Sequence, residues 1–114
     1  MTPTLTAVAV PDGTERWEAL GFEIIENMVL LPWVRVVPEA AEIAVAIDGV
    51  DQLPDGLAGF RPEPIAPVYT DHPNRAIGID HVVAVTPEFD ATVAALEGVG
   101  LPLKRIRDAG SFRQ

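Results

Sequence analysis

"IGIDHVVAVTPEFDATVAALEGVGLPLKRIRD", Ile77 to Asp108, has the order of a domain's opening, yet only six residues follow it before Gln114. "IDHVVAV" is β-branched and apolar, as a strand requires, and it is closed by a proline-marked turn. Thr86 is placed to cap a helix, Pro87 suits its first position, and Glu88 lies near the positive end of its dipole. Phe89, Val93 and Leu96 then share one helical face, and Gly98 and Gly100 stop the helix. Leu103 to Arg107 begins another strand, so the stretch reads β-α-β.

The same order occurs upstream. "LTAVAVPDGTE" parallels "IDHVVAVTPEF", and "RWEALGFEII" parallels "VAALEGVGLPLKRI". Internal similarity of this kind is an architectural signal. Thr6 to Val10 reads as a strand and Pro11-Asp12-Gly13 as a turn. A short helix follows, capped by Asp12 or Thr14, with Trp17 and Leu20 on one face and Gly21 at its left-handed end. Strand chemistry then returns in "FEII", a tight turn at Glu26-Asn27, "MVLL", a break at Pro32, "WVRVV" and "EIAVAID". The unit from Thr4 to Asp48 reads β-α-β-β-β.

The expected fold class is therefore α+β, with tandem βαβββ modules of which the second is truncated to βαβ. Residues 1–48 form the first module, 49–76 a connector rich in proline and glycine, and 77–114 the start of the second. The connector is expected to run over the surface, pinned to the core by Phe60 and Tyr69. Trp17, Leu20, Phe89, Val93 and Leu96 are the expected buried set.

Composition narrows the function. Hydrophobic residues make up 48% and charged ones 22%, close to globular averages, so the chain is expected to fold. Asp and Glu outnumber Lys and Arg by 17 to 8, and the resulting charge of −9 repels phosphate backbones and anionic headgroups. No nucleic-acid or membrane partner is expected. Lys104, Arg105, Arg107 and Arg113 cluster late without interleaved aromatics, which reads as a solvated strand face. Cysteine is absent, excluding disulfides and thiolate chemistry. The start lacks a basic n-region and no apolar run approaches the roughly 20 residues of a membrane span, so a cytoplasmic protein is expected.

Few residues carry candidate chemistry. His81 has an imidazole able to bind a metal from a strand; the alternative is a histidine beside the core, satisfied by backbone. Asp80, its neighbour, falls on the opposite face by strand alternation. His72 reads as an exposed loop histidine, Trp17 and Trp33 as core aromatics rather than pocket walls, and Glu42, Asp48 and Asp51 as solvated acids. No phosphate loop, HExxH or EF-hand pattern occurs, and Ser111, the only serine, sits too near the end to anchor a triad.

The repeat, with "DHVVAVTPEFDATVAALEGVGLPLKR" opening its second copy and "HPNR" at His72 to Arg75 preceding it, resembles the vicinal oxygen chelate superfamily. That superfamily includes glyoxalases, bleomycin-resistance proteins and extradiol dioxygenases, and the similarity is to its actinobacterial glyoxalase-like members. The resemblance implies paired modules forming a cupped sheet, with a divalent metal (zinc, iron, nickel or manganese) that a substrate chelates through neighbouring oxygens. His81 matches the first-strand position that is commonly a metal ligand in such proteins. Thr6 stands opposite it in the first copy, where a neutral hydroxyl ligates transition metals poorly. The carboxylate expected from a late strand would lie beyond Gln114, so the chain alone is expected to be inactive. The resemblance thus implies a metal-dependent lyase, isomerase or dioxygenase in a longer form, or a metal-free module that sequesters a small molecule. A homodimer, or the missing strands of the second module, would complete the sheet.

Overall fold

Thr4–Ala9, a run of β-branched and small apolar residues, forms strand β1 of the computed structural model, which describes residues 3–50, 53, 57–62, 71–104, 106, 108–109 and 112–113. Helix α1 (Thr14–Ala19) and strands β2 (Val29–Leu31), β3 (Val34–Val37) and β4 (Ala44–Asp48) follow, giving the β-α-β-β-β order expected from the sequence. The strands make one mixed sheet in the order β2-β3-β1-β4. β1 is parallel to β3 and antiparallel to β4, while β2 and β3 form an antiparallel hairpin. The fold class is α+β.

Register explains the core. Val8 pairs with Val36 and Val45, and Val36 pairs with Val29, so these four valines share one face of the sheet. Val29, Leu31, Val34 and Val36 are buried there, and Leu5, Val10, Trp17 and Phe22 pack against them. Leu5 and Val8 are three residues apart and would point to opposite faces of a regular strand. A bulge at Thr6 adds the extra residue that lets both face the core: Leu5 opposes Ile47 while Ala7 opposes Ala46.

The turns follow residue chemistry. Glu26 and Asn27 both take positive φ, 51° and 62°, and close a bridge in which Ile25 and Met28 exchange two backbone hydrogen bonds of 2.9 Å. The strand expected at "FEII" shrinks to this single bridge. Phe22 is drawn away by the end of α1, where its N–H donates to the Trp17 carbonyl and Gly21 N–H donates to the Glu18 carbonyl. This is a Schellman ending, and its apolar contact is the edge-to-face pair of Trp17 and Phe22, with ring centroids 5.3 Å apart. Pro32 is part of a two-residue hairpin turn rather than a break, with Trp33 at φ 69°. The cap of α1 also differs: Gly13 holds the position, without a side-chain hydrogen bond, instead of Asp12 or Thr14.

The second copy keeps its helix and loses its strands. Helix α2 (Phe89–Gly98) has 10 residues against 6 in α1, one turn longer. Its end repeats the first: Gly100, at φ 94°, donates to the Glu97 carbonyl, and Leu101 N–H donates to that of Leu96. Its start differs from expectation: Glu88, not Thr86, holds the cap position, without a side-chain hydrogen bond, and Pro87 precedes the helix, while the Thr86 hydroxyl accepts from Glu88 N–H at 3.0 Å in a turn ahead of it. Ile79 to Val85, however, forms no ladder, and neither do Leu103, Lys104 and Ile106. Arg105 and Arg107 lie outside the described residues, as does Tyr69. A short hairpin of β5 (Asp108–Ala109) and β6 (Phe112–Arg113) follows. The β-α-β expected for this copy is therefore not seen, because among the described residues nothing pairs with Ile79 to Val85 as β3 and β4 pair with β1.

Burial departs from expectation accordingly. Trp17, Phe89, Val93 and Leu96 are half-buried, and no residue of α2 is fully buried. Leu20 is exposed because it is the residue after α1, turned out of the helical face. Among the described residues no helix is long and apolar enough to cross a membrane.

Two glycines give a paired test. A Cβ on Gly21, at φ 92°, would lie 2.9 Å from the Asn74 Cβ, whereas one on Gly98 would meet nothing within 4 Å. Gly21→Ala is expected to destabilise by about 2 kcal/mol, from left-handed strain plus the clash. Gly98→Ala is expected to stabilise by about 0.5 kcal/mol through helix propensity. Urea denaturation monitored by circular dichroism measures both.

Candidate functional site

β4 is an edge strand, and its outer backbone is covered by the connector. Val45 N–H donates to the Ala58 carbonyl at 3.0 Å, and Phe60 N–H donates to the Val45 carbonyl at 3.1 Å, a parallel bridge centred on Gly59. Phe60 thus joins the sheet as expected, through its backbone as well as its half-buried ring. Between β4 and this segment lies a cleft of about 720 Å3. Ile47, Val50, Leu53, Leu57 and Phe60 give it apolar walls, and its polar side chains are Thr6, Asp48 and Arg61.

Thr6 reaches the cleft because it is the bulged residue of β1. Its hydroxyl donates to the Ala46 carbonyl at 3.2 Å, which fixes the side chain and the bulge together. Bulges re-aim side chains and are common beside binding sites. Asp48 and Arg61 are exposed, and neither has an ion-pair or hydrogen-bond partner among the described residues.

His81 sits on the unladdered segment with its side chain 70% exposed. Its Nδ1 is 2.7 Å from the Asp80 carboxylate. The expectation that Asp80 would face away from His81 fails because no ladder enforces alternation there. A carboxylate on Nδ1 leaves Nε2 directed outward, the arrangement by which metal-binding imidazoles are oriented. No group of three His, Cys, Asp or Glu residues suited to a metal occurs among the described residues. A site built on His81 therefore needs ligands beyond these.

His72 is not the exposed loop histidine the sequence suggested; it is 5% exposed. Glu23 N–H donates to its Nδ1 at 3.0 Å, so Nε2 carries the proton and donates to the Leu30 carbonyl at 2.7 Å. Its ring stands edge-to-face with Phe22 at 5.4 Å. Asn74, two residues on, donates from Nδ2 to the Leu20 carbonyl at 2.9 Å and from its N–H to the Gly21 carbonyl at 3.2 Å. "HPNR" is thus a clamp joining the end of α1, Glu23 and β2. Trp33, expected in the core, is 83% exposed, since its place in the hairpin turn takes it off the pleated face. Glu42 is exposed as expected, and Asp51 lies outside the described residues.

No protein-family model, curated protein or solved structure gives a significant match to this chain.

The two histidines are expected to separate cleanly by mutation. His72→Ala leaves a backbone N–H and a carbonyl without partners and is expected to cost about 2–4 kcal/mol. His81→Ala removes an exposed contact and is expected to change stability by less than about 0.5 kcal/mol. Equal effects in chemical denaturation would contradict the clamp.

Proposed function

We propose that the chain is a glyoxalase-like protein of the vicinal oxygen chelate type, built on tandem modules, whose first module binds a small molecule in the cleft beside Thr6. The cleft is the observation that carries this reading. Its volume lies within the range of small-molecule sites, and aliphatic and aromatic side chains line it together with a larger share of polar surface. Thr6 occupies the first-strand position equivalent to His81, so the position that the resemblance marks for ligand contact faces a cavity in the copy whose strands are paired. The matched Schellman endings of α1 and α2 support the tandem reading.

Metal contact through His81 is the second reading, favoured by the Asp80–His81 pair. The further ligands, and the strands to pair with Ile79 to Val85, would come from a second copy of the chain. Val83 and Val85 are exposed on that segment, as an unpaired strand awaiting a neighbour would leave them.

For the first reading, neutral aromatic probes such as indole and 2-phenylethanol are expected to shift the Val45 and Phe60 amide resonances saturably. Gly59→Phe, which places a ring against Leu53 at the cleft wall, is expected to abolish those shifts while the α1 resonances stay in place. Shifts scattered over the surface, or unchanged by Gly59→Phe, would sink the proposal.

For the second reading, zinc, iron(II), nickel and manganese titrations should perturb His81, with weak affinity because one imidazole supplies few bonds. Asp80→Asn is expected to weaken binding about 10-fold, and His81→Ala to remove it. Binding indifferent to both substitutions would exclude His81 as a ligand.

A further inference from the structure

We infer that the cleft takes a small molecule bearing one carboxylate, gripped by Arg61; this rests on the cleft being the binding site proposed above. Arg61 follows Phe60, whose N–H is tied to the Val45 carbonyl at 3.1 Å, so its backbone is one residue from a fixed point. The chain carries 17 acidic residues and 8 basic ones, yet Arg61 meets no carboxylate among the described residues. A guanidinium at the cleft wall offers a rigid planar fork that matches both oxygens of a carboxylate.

Asp48 lines the same cleft and limits the ligand's charge. A second negative charge on the ligand would be repelled by it, which disfavours a dianionic phosphate or phosphonate. The fork itself suits either anion, so Asp48 makes the distinction. Thr6 offers little competing polarity, because its hydroxyl hydrogen is already donated to Ala46. The remaining contacts are with Ile47, Leu57 and Phe60, which suit an aryl or alkyl body.

The test compares 3-phenylpropionate, its neutral analogue 3-phenylpropanamide, and benzylphosphonate, each titrated while the Val45 and Phe60 amides are followed by NMR. The carboxylate is expected to bind about tenfold tighter than the amide, as a charge-assisted bond to a solvent-facing arginine allows. The advantage should shrink as salt is added, and the phosphonate should bind more weakly than the carboxylate. Arg61→Gln is expected to erase the preference of carboxylate over amide, and Arg61→Lys to keep part of it. Equal affinity for carboxylate and amide in the native protein, or a preference that survives Arg61→Gln, overturns the carboxylate inference and leaves the cleft reading intact. Tighter binding of the phosphonate overturns the role given to Asp48. Failure of all three probes to shift these amides overturns both readings.

Discussion

β1 is held on both sides, parallel to β3 and antiparallel to β4, and the rest of the structure depends on that double pairing. A strand bonded on one side only is a marginal element, whereas one inside a sheet has every backbone group satisfied. The two ladders impose different registers, and the bulge at Thr6 reconciles them with the hydrophobic pattern. It keeps Leu5 with Val8 on the core face and leaves Thr6 beside the cleft. One local irregularity thus serves both the packing and the candidate site.

The chain's return past α1 adds a second constraint. His72 reads two backbone groups at once, one before β2 and one within it, while Asn74 takes the carbonyls of Leu20 and Gly21 just past α1. These bonds satisfy polar groups that the helix end and the strand would otherwise leave open. Gly21 is needed at that junction for two independent reasons, its left-handed φ and the approach of Asn74 to 2.9 Å from where a Cβ would lie. The described parts of the connector are therefore fixed at one end by the side chains of His72 and Asn74 and at the other by the backbone bridge of Gly59 to Val45.

What was legible in the sequence divides along the range of the interactions. Both helices, their glycine endings and the Glu26-Asn27 turn were readable, because each depends on neighbours a few residues apart. Phe22 misled because its apolar run matched a strand, while the C-terminal residue of a Schellman ending also wants an apolar side chain. Trp33 misled for a related reason: hydrophobicity argued for the core, and the two-residue turn overrode it. His72 was read by type alone, and nothing local to it announces partners 49 and 42 residues away in sequence. The cleft was illegible for the same reason, since its walls meet only when residues near 60 bridge to β4.

The same division separates the two helical stretches of the chain. Helix α2 has its ending encoded locally, in the bonds that Gly100 and Leu101 return to its last turn. Ile79 to Val85 has much the same β-branched composition as β1, yet without a β3 or β4 beside it the composition yields no ladder. Position follows pairing: Thr6 is locked to Ala46 and lines the cleft, while His81, on a segment without a ladder, contacts its neighbour Asp80. A side chain on a strand acquires a defined direction from the ladder, not from its own identity. Chemistry that requires His81 to meet other groups at fixed distances therefore depends on a paired strand around it, whereas the cleft beside Thr6 already has its walls positioned by the sheet.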